Sequence, residues 1–122
     1  MRKKHILIDW WFNNDILLRY PEPVTSILVE SVKKGGLDIL NEVSHQFKPF
    51  GFTMILILGQ SHISAHSWVD EHLLTIDIFS CKTDTLDEII SEMRKQLAPI
   101  KEKLSIIERG LPEEYQQNET SY

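Results

Sequence analysis

The stretch Gln60-Ser61-His62-Ile63-Ser64-Ala65-His66-Ser67-Trp68 places two histidines and three serines between two apolar runs. Nucleophilic chemistry needs a hydroxyl or thiol beside a base, and here hydroxyls and imidazoles stand together. A segment flanked by core-forming strands should not gather so many hydrogen-bonding groups unless a site uses them. The single cysteine, Cys81, closes the following strand-like run, from which it can fold back over the same place. A plainer reading stands beside this one. Alternating serine and histidine also suits the solvated face of a strand, Trp68 suits an anchor, and a lone cysteine at a strand end is commonly a small core residue. Spacing alone leaves both readings open and names no reaction.

The elements around that stretch follow from hydrophobic periodicity. His5 to Trp11 is bulky and apolar and predicts a buried strand, ended by Asn13-Asn14-Asp15; Pro21 and Pro23 mark a turn. Val24, Ile27, Leu28 and Val32 recur at helical spacing, so Val24 to Lys34 predicts a helix. Lys33-Lys34 followed by Gly35-Gly36 is a stop signal for it. Leu37 to Phe47 predicts a strand in its second half, Pro49-Phe50-Gly51 a turn, and Thr53 to Leu58 a strand. His62 to Trp68 alternates polar and apolar residues after the interruption at Gly59-Gln60. Leu73 to Cys81 alternates most clearly, with Leu74, Ile76 and Ile78 pointing one way and Thr75, Asp77, Phe79 and Cys81 the other. Leu86, Ile89, Ile90, Met93 and Leu97 make one face of a helix from Asp84 to Leu97, with Thr83 or Asp84 as its N-cap. Lys101 to Arg109 predicts a last strand, and the polar tail from about residue 112 predicts disorder. The order strand, helix, strands, helix, strand implies an α+β fold, a two-layer sandwich with helices on one face of a mainly antiparallel sheet. A second subunit is the expected cover for the other face.

Composition bounds the function. A chain of 122 residues has material for a single domain, residues 1–122, with one core. A formal charge of −5 argues against a nucleic-acid partner, which would want a surplus of Lys and Arg on one face. The longest nearly uncharged apolar stretch, Phe50 to Leu58, is too short to span a bilayer, so no membrane partner is expected. Met1-Arg2-Lys3-Lys4 is basic but runs straight into a strand, without the small-residue cleavage site of a signal peptide. One cysteine rules out an internal disulfide and suits a reducing, cytoplasmic setting.

Three blocks carry a family resemblance. Phe47-Lys48-Pro49-Phe50-Gly51-Phe52-Thr53, then Ser61 to Trp68, then Asp77-Ile78-Phe79-Ser80-Cys81 resemble the single-domain bacterial and archaeal S-adenosylmethionine decarboxylases. The family pattern there is Phe-x-Pro-x-Gly-x-Ser, Glu-Ser-His-x-x-x-His-Thr-Trp-Pro-Glu and Asp-x-Phe-Thr-Cys-Gly, and the gaps match as well as the blocks. The opening His5-Ile6-Leu7-Ile8-Asp9 and the ending Glu108-Arg109-Gly110 are also usual in that family.

The resemblance implies a proenzyme that cuts itself between Gln60 and Ser61. In that scheme the Ser61 hydroxyl attacks the Gln60 carbonyl to give an ester, β-elimination releases the upstream chain, and the dehydroalanine left behind hydrolyses to a pyruvoyl group. The products would be a β chain, residues 1–60, and an α chain, residues 61–122. The pyruvoyl ketone would form a Schiff base with a small-molecule amine substrate and act as electron sink during decarboxylation. By position, His66 is the acid/base of processing, Thr53 its hydroxyl assistant, and Cys81 the proton donor of turnover. Phe47 stacks on adenine, Trp68 lines the pocket and Asp70 takes the ribose contact. A homodimer of cleaved protomers with shared active sites is implied too, serving the aminopropyl-donor step of spermidine synthesis.

The chain departs from the pattern in places. Gln60 replaces glutamate, Thr53 replaces serine, Val69-Asp70 replaces Pro-Glu, and Ser80-Cys81-Lys82 replaces Thr-Cys-Gly. Asp70 is one methylene shorter than the family glutamate, and Glu71 should face the other way if the strand continues. Because the processing residues are better kept than the nucleoside-binding ones, two further readings stand: a paralogue that decarboxylates arginine or ornithine, and a non-cleaving α+β binding or regulatory module.

Overall fold

Six runs become strands, with buried and exposed residues alternating most clearly in β1, β3 and β5: β1 (Lys3–Trp11), β2 (Ile39–Gln46), β3 (Phe52–Leu58), β4 (His62–Trp68), β5 (Leu73–Ser80) and β6 (Lys101–Arg109). Two helices, α1 (Val24–Lys34) and α2 (Thr83–Leu97), separate β1 from β2 and β5 from β6. The structure, a computed structural model, describes residues 3–81 and 83–112, apart from the side chains of Thr83 and Asp84. The predicted tail, Lys82 and the N-cap side chains of α2 lie outside the described residues. All strand pairings are antiparallel, in the order β2-β3-β4-β5-β1-β6. The two-layer α+β arrangement is the one the sequence implies.

The inward rows are apolar because period-two alternation puts every second side chain on one face. Ile6, Ile8 and Trp10 of β1, Met54 and Leu56 of β3, Ile63 and Ala65 of β4, and Leu74, Ile76 and Ile78 of β5 are all buried. Against them pack Val24, Leu28 and Val32 of α1 and Leu86, Ile89, Ile90, Met93 and Leu97 of α2. Each such side chain, fully buried, contributes about 1.5–3 kcal/mol of transfer free energy. The helices meet closely where α1 ends. A Cβ at Gly35 would sit 2.5 Å from Ile89 Cγ1, so a side chain there would force the buried Ile89 side chain to shift.

A polar latch ties the helix layer to the sheet. Trp10 Nε1 donates to Glu102 Oε1 at 2.7 Å, and Arg94 Nε of α2 donates to the same oxygen at 2.9 Å. The Arg94 hydrogen bond first, then that of Trp10, holds the Glu102 carboxyl below its ordinary value. A depressed folded value stabilises the fold above the unfolded carboxylate range and is lost as pH falls through the folded value. Wild type should therefore lose Tm more steeply than Glu102→Gln as pH drops below about 4. Both partners are partly open to water, so the difference amounts to a few degrees at most. Identical melting curves for the two proteins from pH 5 to pH 3 would remove the latch from the account.

The strand β4 ends at Trp68, where the sequence pattern ends it. Val69–Glu71 forms a single 3-10 turn, closed by His72 at φ 54°. Asp70 and Glu71 therefore sit in a turn and not on alternate faces of a strand. On the side of the sheet away from the helices, Val43, Ile55, Ile57, Trp68 and Ile107 are exposed among polar neighbours, and no described residue covers them.

Candidate active site

Leu58 N–H donates to the Ser61 carbonyl oxygen at 2.9 Å, so Gly59 and Gln60 make a tight, exposed turn between β3 and β4. Ser61 follows that turn, and its Oγ donates to Ser80 Oγ at 3.0 Å. Ser80 is fully buried and is the one hydroxyl in the inward row of β5, where Leu74, Ile76 and Ile78 precede it. The Cys81 thiol, just past β5, reaches Gln60 Oε1 at 3.9 Å. Leu37 and Asp38, which lead into β2, complete a cleft of about 280 Å³ around Gln60, Ser61 and Cys81. These groups converge because β2 starts, β3 ends, β4 starts and β5 ends at one rim of the antiparallel sheet.

At the other end of β4, Thr53 is paired with His66 across the ladder. Thr53 Oγ1 lies 2.9 Å from His66 Nδ1, a contact that fixes the ring. Trp68 Nε1 donates to Thr75 Oγ1 at 3.0 Å, orienting the indole. Phe47 is presented by a turn in which Phe47 N–H donates to the Gly51 carbonyl at 2.8 Å. Gly51 sits at φ 113°, a conformation that L side chains rarely adopt, and its own N–H donates to the Arg19 carbonyl at 2.8 Å. Phe47, Thr53, His66, Trp68 and Asp70 together line a cleft of about 610 Å³.

The residues singled out in the sequence thus fall into two groups. Gln60, Ser61 and Cys81 share the first cleft; Phe47, Thr53, His66, Trp68 and Asp70 share the second. Ser61 and His66 are five positions apart on extended chain, which separates their Cα atoms by roughly 17 Å. Within one protomer the His66 imidazole does not meet the Ser61 hydroxyl.

Two neighbours of Ser61 escaped the sequence reading as site residues. Ser80 carried a usable signal, since a polar residue closes an otherwise apolar inward row. Asp38 carried none, because only the strand order brings β2 beside the Ser61 turn. Among the described residues, no three or more His, Cys, Asp or Glu side chains are placed to hold a metal ion. No described helix is long and apolar enough to cross a membrane.

Comparison with known proteins bears on what these two clefts do. The family described as S-adenosylmethionine decarboxylase matches residues 4–110. The S-adenosylmethionine decarboxylase proenzyme of Methanococcus maripaludis is 32% identical over 111 residues, covering 90% of this chain and 91% of its own. The protein of that name from Hydrogenobaculum sp. is 31% identical over 115 residues, covering 90% and 83%. The crystal structure of the adenosylmethionine decarboxylase from Aquifex aeolicus superposes with a TM-score of 0.82 at 28% identity, covering 93% of this chain and 94% of that one. The match runs from β1 through β6 and so takes in both clefts: the chain belongs to the S-adenosylmethionine decarboxylase family.

Proposed function

We propose that this chain is a proenzyme that cuts itself between Gln60 and Ser61 and then, with a pyruvoyl group formed from Ser61, decarboxylates S-adenosylmethionine. The observation that carries this reading is the placement of Ser61 directly after an exposed two-residue turn, beside Ser80 and the Cys81 thiol. A cut there leaves the β3–β4 ladder from Thr53·His66 to Ile57·His62 intact. The residues present therefore fit the group: a hydroxyl stands at the new chain end, and a thiol and a carboxylate line the same cleft. When present, the pyruvoyl ketone supplies an electron sink for the carbanion left by loss of CO₂.

The remaining chemistry belongs to side chains. Ser80 Oγ accepts the Ser61 hydroxyl proton in a hydrogen bond and so orients the lone pairs of Ser61 for attack on the Gln60 carbonyl carbon. Cys81 holds the proton that returns to the substrate carbon after decarboxylation. Phe47 and Trp68 offer faces to the adenine, and Asp70 accepts from a ribose hydroxyl. An aromatic cleft of about 610 Å³ suits a nucleoside better than the side chain of free arginine or ornithine.

His66 serves the Ser61 of a second copy. Two sheets stacked on their exposed faces lie about 10 Å apart. A two-fold axis between them, crossing β4 near Ser64, carries the Ser61 end of one protomer over the His66 end of the other. Such a homodimer also covers Val43, Ile55, Ile57 and Ile107. With its free thiol it fits the reducing cytoplasm.

Co-expression tests the shared site. Ser61→Ala and His66→Ala chains should each remain uncut when made alone. Expressed together they form mixed dimers, in which His66 of the Ser61→Ala chain serves the intact Ser61 of the other. Mass spectrometry should then find fragments of the His66→Ala chain only. Rapid cutting of His66→Ala alone would take the base away from His66, and a mixture that stays wholly uncut would remove the sharing.

A further inference from the structure

The cleft around Ser61 contains a carboxylate to which the proposed self-cleavage gives no role. Asp38 immediately precedes β2, is exposed to solvent, and lines the same cleft as Ser61 and Cys81. The other described side chains there are the amide of Gln60, the hydroxyl of Ser61, the thiol of Cys81 and the apolar walls of Leu37 and Leu58. Asp38 is thus the one anionic side chain among the described residues that line it.

The substrate brings such a cation. An α-amino acid at neutral pH carries an ammonium with no lone pair, and it must lose a proton before its nitrogen can add to a ketone. We propose that Asp38 receives the α-ammonium of the substrate and takes one of its protons. One N–H bond breaks, one O–H bond forms on the Asp38 carboxyl, and the nitrogen lone pair becomes available to the ketone; solvent later removes the proton from Asp38. The same negative charge repels the α-carboxylate, so the group to be lost as CO₂ points away from Asp38. This role rests on the reading that Ser61 becomes the ketone of a decarboxylase.

The test uses full-length chains after self-cleavage, with Asp38→Asn and Asp38→Glu beside wild type. Two probes that are not decarboxylated are titrated by calorimetry. S-adenosylmethionine methyl ester keeps the ammonium, and methylthioadenosine lacks the amino-acid portion altogether. Asp38→Asn should cut normally, bind the methyl ester at least about 10-fold more weakly, bind methylthioadenosine as wild type does, and lose about 100-fold in kcat/KM. Asp38→Glu should recover part of both losses. The proposal is overturned if Asp38→Asn stays uncut, if both probes weaken alike, or if neither binding nor kcat/KM changes. Wild-type protein that fails to cut or to release CO₂ would instead sink the decarboxylase reading, and this role with it.

Discussion

Replacing Ser61 with alanine should leave a single chain of full mass where wild type gives two pieces, and decarboxylation should fall to background. The expectation rests on one atom. On the proposed mechanism the attacking oxygen is Ser61 Oγ, which donates to Ser80 Oγ at 3.0 Å, and alanine supplies nothing in its place. Ser61 is only partly buried and its side chain is small, so the sheet and both helices should form unchanged. Circular dichroism and melting would establish that, and denaturing mass spectrometry would show the uncut chain. Two fragments of wild-type mass from Ser61→Ala would place the scissile bond or the nucleophile elsewhere.

Cys81→Ala should separate cutting from turnover. Cleavage needs a hydroxyl and a base, neither of which Cys81 provides, so the variant should still yield residues 1–60 and 61–122. Decarboxylation needs a proton for the new carbanion, and losing a general acid typically slows a reaction 10²–10⁴-fold. In the uncut chain the thiol is engaged by the Gln60 side chain at 3.9 Å. On the proposed cut Gln60 becomes the C-terminal residue of the upstream piece, which β3 keeps in the sheet. Release of labelled CO₂ from S-adenosylmethionine measures the effect, with arginine and ornithine in parallel. Equal rates for cut wild type and cut Cys81→Ala would reduce the cysteine to a wall of the cleft.

Most of the architecture was legible because apolar spacing reports burial. The rows Leu74-Ile76-Ile78 and Leu86-Ile89-Ile90-Met93-Leu97 are buried as their periodicity demands, and α1 spans the Val24–Lys34 range that its pattern and its Gly35-Gly36 stop define. The site was only half legible. Chain proximity grouped Ser61 with His66, yet on an extended strand the five-residue step puts them at opposite rims. The alternation from His62 to Trp68 ends where β4 ends, but nothing in residue type marks the turn that Val69–Glu71 makes after it. Asp38 is remote from Ser61 in sequence and becomes its neighbour only through a long-range pairing, β2 with β3.

The strand order also decides what unfolding does to the finished molecule. Residues 1–60 contribute β1, β2 and β3, and the rest contribute β4, β5 and β6, yet β1 is inserted between β5 and β6. Before the cut, β1 finds that slot at the effective concentration of one continuous chain, and refolding is first order. After the cut proposed between Gln60 and Ser61, the same insertion would become an encounter between two molecules, slower with every dilution. The turn at Gly59-Gln60 is thus a tether used once. A precursor that unfolds can recover, whereas a mature protomer that unfolds in dilute solution disperses, and its working life is set by its rate of opening rather than by its equilibrium stability.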